Sequence, residues 1–211
     1  MLNKISKRRV VILDSLLVNI VNMDKIMNIK APHFPFDIER GTYELLLTNK
    51  IYIERDDFRL EDSRDYYALE PNKEVKLKYV FNIKCTSYIL TTSGQVESIN
   101  AEIDFENKKK CKGKINWVAE KKILSIELRH YNQLFLSDNK TCKEKYDDWI
   151  KDLNPQSLEK VIAYTDSSIS SGKIDDHYQF EKLGYYIIDQ DTRPEKLIFN
   201  RTVKLIKKFK S

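Results

Sequence analysis

The stretch Glu74 to Cys85, EVKLKYVFNIKC, constrains this chain more than any other. Val75, Leu77, Tyr79, Phe81, Ile83 and Cys85 fall on one parity; Lys76, Lys78, Asn82 and Lys84 fall on the other. Successive side chains of a β-strand point to opposite faces, so this order predicts one half-buried strand with an apolar inner face and a lysine-bearing outer face.

The same period of two recurs along the chain. Val10 to Val21 reads as a strand, or as two bent at Asp14-Ser15. Thr42 to Phe58 holds another, with Ile51 and Ile53 alternating against Tyr52 and Glu54. Gln95 to Phe105 follows a hairpin turn at Thr91-Thr92-Ser93-Gly94. Further strands are predicted over Ile115 to Val118, Leu124 to Tyr131 and Ser157 to Tyr164. Asn22 to Arg40, with Pro32 and Pro35, reads as a loop, and Asn107 to Lys114 as a basic loop. Tyr178 to Leu205 reads as two closing strands around the turn-rich DQDTRPEK. Helical spacing occurs only over Ser137 to Lys151, where Tyr146, Trp149, Ile150 and Leu153 recur three and four apart before Asn154-Pro155. Many short strands and little helix indicate an all-β barrel or sandwich. The change of character between Asn132 and Pro155 suggests two barrels, which 211 residues with 41% hydrophobic content can fill.

Composition bounds the chemistry. Lys+Arg 37 against Asp+Glu 32 leaves a net charge of +5, a mild basic bias that permits a polyanionic partner. Cys85, Cys111 and Cys142 are scattered and odd in number with no CxxC, so neither a disulfide framework nor a zinc site is indicated. No apolar run approaches the roughly 20 residues of a membrane span, and Met1 to Lys4 leads into charge, so a cytoplasmic protein is expected. No phosphate-binding glycine loop or GxSxG elbow occurs, and His33, His130 and His177 lack metal-ligand spacing. What remains is a surface: Lys76, Lys78, Lys84 and the Lys108–Lys114 loop as a track for phosphates, with Tyr66, Tyr67 and Tyr79 as stacking surfaces for unpaired bases. An all-β protein-interaction module with merely solubilising lysines is the alternative.

A family resemblance covers Arg8 to Leu205. RRVVILDSLLVNIVN, IYIERDDF, NKEVKLKYVFNIKC, GKINWVAEKK, IELRHYNQLF, DLNPQSLE, QFEKLGYY and KLIFNRTVKL occur in order. Together they resemble the C-terminal anticodon-binding region of glutaminyl-tRNA synthetase, a class I aminoacyl-tRNA synthetase. The glutamyl relative shares the barrels but is not expected to end in FNRTV. Lys4-Ile5-Ser6-Lys7 is similar to the KMSKS signature, but its HxGH partner is absent, so it reads as a basic tail.

The resemblance implies two six-stranded β-barrels like ribosomal protein L25, the distal one inserted in the proximal one. It places the proximal barrel over residues 8–60 plus 137–211 and the distal one over 61–136. It implies a monomer that binds glutamine tRNA, not DNA or membrane, without charging it. ATP and Mg2+ would serve a catalytic domain outside this sequence, and the chain itself would hold no cofactor. Residue by residue, Arg8 and Gln179 match the middle-base pocket, and Lys182 stands where the family usually has arginine. Lys76 and Lys78 match two arginines facing the outer anticodon bases. Ala68 falls where an arginine contacting the third base is expected, leaving Tyr67 or Arg64 to substitute.

Overall fold

The computed structural model describes residues 1–61, 67–136 and 150–205 and is all-β. The helix expected over Ser137 to Lys151 lies almost wholly outside the described residues, as do Arg64, Tyr66 and Cys142; Ile150 and Lys151 stand in a turn.

Two seven-stranded sheets make up the fold. The first runs, neighbour to neighbour, Lys7–Arg9, His177–Phe180, Gly184–Ile188, Leu197–Lys204, Ile123–Tyr131, Leu158–Asp166, Val11–Ile12. Its two edges, Lys7–Arg9 and Val11–Ile12, are separated in the chain by Val10 alone. One short segment can serve both edges only if the sheet curls round to meet it, so the sheet is a nearly closed barrel. Counted as one bent strand, Lys7–Ile12 makes this barrel six-stranded. The second sheet runs Lys114–Ile115, Glu74–Leu77, Asn82–Leu90, Val96–Asp104, Ser15–Ile20, Lys50–Glu54, Trp117–Ala119. Here Asn116 alone separates the edges, and the same closure follows. The strands of the second barrel all lie between Val11–Ile12 and Ile123–Tyr131 in the chain, so it is inserted in the first.

The barrels share one topology. In both, the bent strand is parallel to its first neighbour and antiparallel to its last. Between them the pairings run antiparallel, antiparallel, parallel, antiparallel. The difference is that the bent strand comes first in the sequence of one barrel and last in the other.

Several expectations are corrected. Ser15–Ile20 and Lys50–Glu54 belong to the inserted barrel, and Ile123–Tyr131 belongs to the other, so division at residues 60 and 136 does not follow the sheets. Their partners are distant in sequence, as in the parallel pairing of Leu17 with Ser98, and leave no local mark. The chain crosses between barrels at Leu13-Asp14, where the Glu54 carboxylate accepts both backbone N–H groups at 3.0 and 2.9 Å. Glu74 to Cys85 is a tight hairpin, with Tyr79 at φ 69° in its turn. Tyr178 to Leu205 contains three strands, Glu181 to Leu183 being a turn. The first turn is built of strand-forming residues, so the apolar parity of Leu77, Tyr79 and Phe81 runs through it, whereas Gly184 breaks the alternation after the second. The proline-marked loop contains Met27–Pro32, which pairs with Thr42–Leu47 as a separate two-stranded ribbon.

Each barrel has its own core: Leu16, Val18, Ile51, Ile83 and Trp117 among others in the inserted barrel, and Leu128, Tyr178, Phe180, Tyr186 and Phe199 in the first. Val10, Ile12 and Val118 form a small cluster joining them. Gly184 opens the strand after the 181–183 turn, and a Cβ there would lie 2.4 Å from the Val203 carbonyl oxygen. Gly184→Ala is therefore expected to destabilise the protein by about 1–3 kcal/mol, read from the urea midpoint, because backbone must move to admit the methyl group.

Candidate nucleic-acid interface

Lys7–Arg9 runs parallel to His177–Phe180 with Arg8 opposite Gln179. Phe180 and Arg9 are buried, so the alternation turns Arg8 and Gln179 to the outer face of the barrel. Gln179 is also paired with Tyr185, whose neighbour Tyr186 is buried. Arg8, Gln179 and Tyr185 thus form one row across three strands.

The row is half-buried and under-satisfied. Arg8 Nη2 donates to Asn3 Oδ1 at 2.6 Å, and the Tyr185 hydroxyl donates to the same oxygen at 3.4 Å. Arg8 Nη1 and Gln179 Oε1 are buried and have no partner among the described residues. Leaving a buried donor or acceptor unmade costs about 1–3 kcal/mol, so a donor and an acceptor left open side by side need an explanation. A ligand edge bearing both an acceptor and a donor would satisfy them.

Arg8 is held from behind. Its backbone N–H donates to the His33 carbonyl at 2.8 Å, and its carbonyl accepts from Arg9 Nη1 at 2.7 Å. The Arg9 guanidinium lies 3.9 Å from the Tyr43 ring centroid and 3.0 Å from His33 Nδ1. A guanidinium can only donate, so His33 Nδ1 accepts and the imidazole is neutral. Burial, then Arg9 and Lys7, lower the His33 pKa from 6.5 to about 4. The unfolded chain therefore takes up this proton first, and stability is expected to fall as pH drops from 6.5 towards 4. His33→Gln should flatten that part of the pH dependence of the urea midpoint.

Lys78 and Lys182 reach the same place from the two turns. Lys78, one residue beyond Glu74–Leu77, is ion-paired with Glu181, whose other carboxylate oxygen accepts from the Tyr79 hydroxyl at 3.3 Å. The Trp117 indole N–H donates to the Lys78 carbonyl at 2.9 Å and fixes that turn. Lys182, at φ 66°, donates to both oxygens of Asp57 at 2.8 and 2.9 Å. Burial, then Arg8, Lys114 and Lys182, bring the Lys78 pKa down to about 8. Lys78 is thus within electrostatic reach of three other cations drawn from the two barrels.

Lys76 is placed apart, on the outer face of the inserted barrel opposite Lys114. Ala68 is buried in that barrel's core and offers no donor, while Tyr67 is exposed beside the Lys112 ammonium, 5.8 Å from its ring centroid. Sequence reasoning passed over Glu181, Tyr185 and Asp57. Tyr185 was visible only as half of an aromatic pair, and the two carboxylates carry no motif and acquire their place by tertiary contact alone. Among the described residues no group of three His, Cys, Asp or Glu could hold a metal ion, and no helix is long and apolar enough to cross a membrane.

This is a pair of like barrels joined by a shared cationic seam with open hydrogen-bonding groups. Two family models described as tRNA synthetases class I (E and Q), anti-codon binding domain, match residues 6–104 and 114–189. The glutamine–tRNA ligase of Lupinus luteus is 42% identical over 97% of this chain, which spans 27% of that protein. A probable glutamine–tRNA ligase of Dictyostelium discoideum is 38% identical over 94% of the chain and 26% of its own length. The Nitrosomonas europaea glutamine–tRNA ligase is 34% identical over 97% of the chain and 38% of its own length. The chain belongs to the anticodon-binding domain family of the class I E and Q tRNA synthetases. It spans between about a quarter and two fifths of the length of these relatives.

Proposed function

We propose that the chain binds the anticodon loop of a glutamine tRNA, as the anticodon-binding part of a cytoplasmic glutamine–tRNA ligase. The single observation that carries this is the pairing of Arg8 with Gln179, each with an unpartnered buried polar atom, at the seam of two barrels. An unpaired base presents donors and acceptors on its Watson–Crick edge, and an arginine beside an amide can complement both. Tyr185, next in the row, offers an aromatic face for stacking. Arg8, Gln179 and Lys182 then serve the middle base and Lys78 an outer one, while Lys76, set apart on the inserted barrel, is not assigned to a base. Lys182 supplies charge without a two-pronged donor, so middle-base reading rests on Arg8 and Gln179. The cation cluster spanning both barrels fits a polyanion better than a protein partner.

Attachment of glutamine, with its ATP and Mg2+, belongs to the ligase as a whole. The test is anisotropy of a labelled anticodon stem-loop RNA carrying the anticodon CUG, titrated with the chain at rising KCl. Affinity is expected to fall linearly on a log–log plot, as counterions are released from the phosphates. Binding indifferent to salt would overturn the reading.

A further inference from the structure

The two barrels are related by more than topology. In the first, the parallel pair Arg8–Gln179 precedes the buried pair Arg9–Phe180, and a three-residue turn follows. In the second, the parallel pair Lys114–Lys76 precedes the buried pair Ile115–Leu77, and a turn of the same length follows. The turns repeat the same two backbone hydrogen bonds. Glu181 N–H donates to the Arg9 carbonyl at 3.1 Å, and Lys78 N–H donates to the Ile115 carbonyl at 3.0 Å. Leu183 N–H donates to the Phe180 carbonyl at 3.0 Å, and Val80 N–H donates to the Leu77 carbonyl at 3.1 Å. Lys182 and Tyr79, each second in its turn, have φ of 66° and 69°. Glu181 and Lys78, the equivalent first residues, are ion-paired with each other, so the pseudo-symmetry relation passes through that contact.

This relation makes Lys114 and Lys76 the counterparts of Arg8 and Gln179. Lys114 is exposed and Lys76 half-buried, both on the outer face because Ile115 and Leu77 are buried. Neither ammonium has a hydrogen-bond or carboxylate partner among the described residues. Like charges directly opposite on paired strands repel, and neither lysine is relieved by an ion pair among the described residues. The contrast is Lys84, which the ladder places between Glu74 and Glu102. Two facing ammonium groups lack the mixed donors and acceptors of a base edge, but they suit one anion set between them.

We infer that Lys114 and Lys76 form a phosphate subsite for the RNA backbone, the pseudo-symmetric partner of the base pocket at Arg8 and Gln179. The inserted barrel fixes the strand by its charge, and the other barrel reads the base. This rests on the anticodon-binding reading, with Lys114 as a contact that the family pattern does not supply.

The test uses the whole chain, anticodon stem-loop RNAs with CUG and with the middle base changed, and the variants Lys114→Met, Lys76→Met and Lys84→Met. Lys114→Met and Lys76→Met are each expected to weaken both RNAs by the same factor, and to reduce the salt slope by about one. Lys84→Met should change neither, because its place between Glu74 and Glu102 takes Lys84 out of the phosphate track expected from the sequence. Unchanged binding and slope in Lys114→Met would overturn the subsite, as would a loss confined to one anticodon. Inorganic phosphate provides a second arm: binding that Lys114→Met abolishes, while RNA binding stays intact, would make this a free-anion site and overturn the RNA assignment. Thermal melts of these surface variants should overlay the parent, so an effect is not one of folding. Absence of salt-dependent RNA binding by the unsubstituted chain would instead sink the anticodon-binding reading itself.

Discussion

Replacing Gln179 by alanine is expected to weaken binding of the CUG stem-loop by about 1–3 kcal/mol, the scale of a lost specific base contact. The salt slope should not change, because an amide releases no counterion. Binding of an RNA with an altered middle base should hardly change, since the contact is already missing there. Arg8→Ala should lose the same discrimination and also lower the slope, because the guanidinium carries charge. The reason lies in the geometry of the row. Arg8 and Gln179 are opposed in register, and each keeps one buried polar atom without a partner among the described residues. The alanine variant removes an unsatisfied acceptor and gives up no hydrogen bond within the barrel. The loss should therefore fall on binding and leave the melting temperature near that of the parent.

The largest effect on stability is expected from Phe180→Ala. The Phe180 ring is fully buried, stacked on Tyr186 at 4.6 Å between centroids and edge-on to Phe199 at 5.1 Å. Truncating such a ring costs about 3–5 kcal/mol, through lost transfer energy and the cavity left behind. Against the roughly 5–15 kcal/mol that keeps a domain folded, that is a large share. Urea denaturation measures it, and Phe180→Leu should cost much less because it leaves a smaller cavity. Phe180 directly follows Gln179, so its burial also determines that Gln179 faces outward. A loss below about 1 kcal/mol in Phe180→Ala would mean that this ring does not organise the core of the first barrel.

Much of this was legible in the sequence, and what was not has physical causes. The half-buried strands show because apolar residues alternate, as in Val96–Asp104 and Ile123–Tyr131. The turn at Thr91 to Gly94 shows because Gly94 takes φ 81°. The two turns that shape the interface did not show. Tyr79 and Lys182 adopt positive φ without glycine or asparagine, and Tyr79 lies where a period of two still fits. The partition of strands between barrels was equally hidden, since Ser15–Ile20 reaches Val96–Asp104 across the chain. Arg8, Gln179, Lys78 and Lys182 were named from family likeness, and the fold gathers these four at one seam. Lys76 lies opposite Lys114, which the sequence marked only as part of a basic loop and which its equivalence to Arg8 singles out. The bent strand that closes each barrel could not be foreseen either. Asn116 and Val10 are ordinary residues, and only barrel closure gives them their position.

The central claim is that the seam of the two barrels reads the middle anticodon base through Arg8 and Gln179. Affinities of the unsubstituted chain, Arg8→Ala, Gln179→Ala and the double variant for the CUG stem-loop and its middle-base variant test it most directly. The account predicts that the unsubstituted chain prefers CUG, that each single variant loses most of that preference, and that the double variant loses little more. Equal affinity of the unsubstituted chain for both RNAs, or a preference that survives in the double variant, would contradict it.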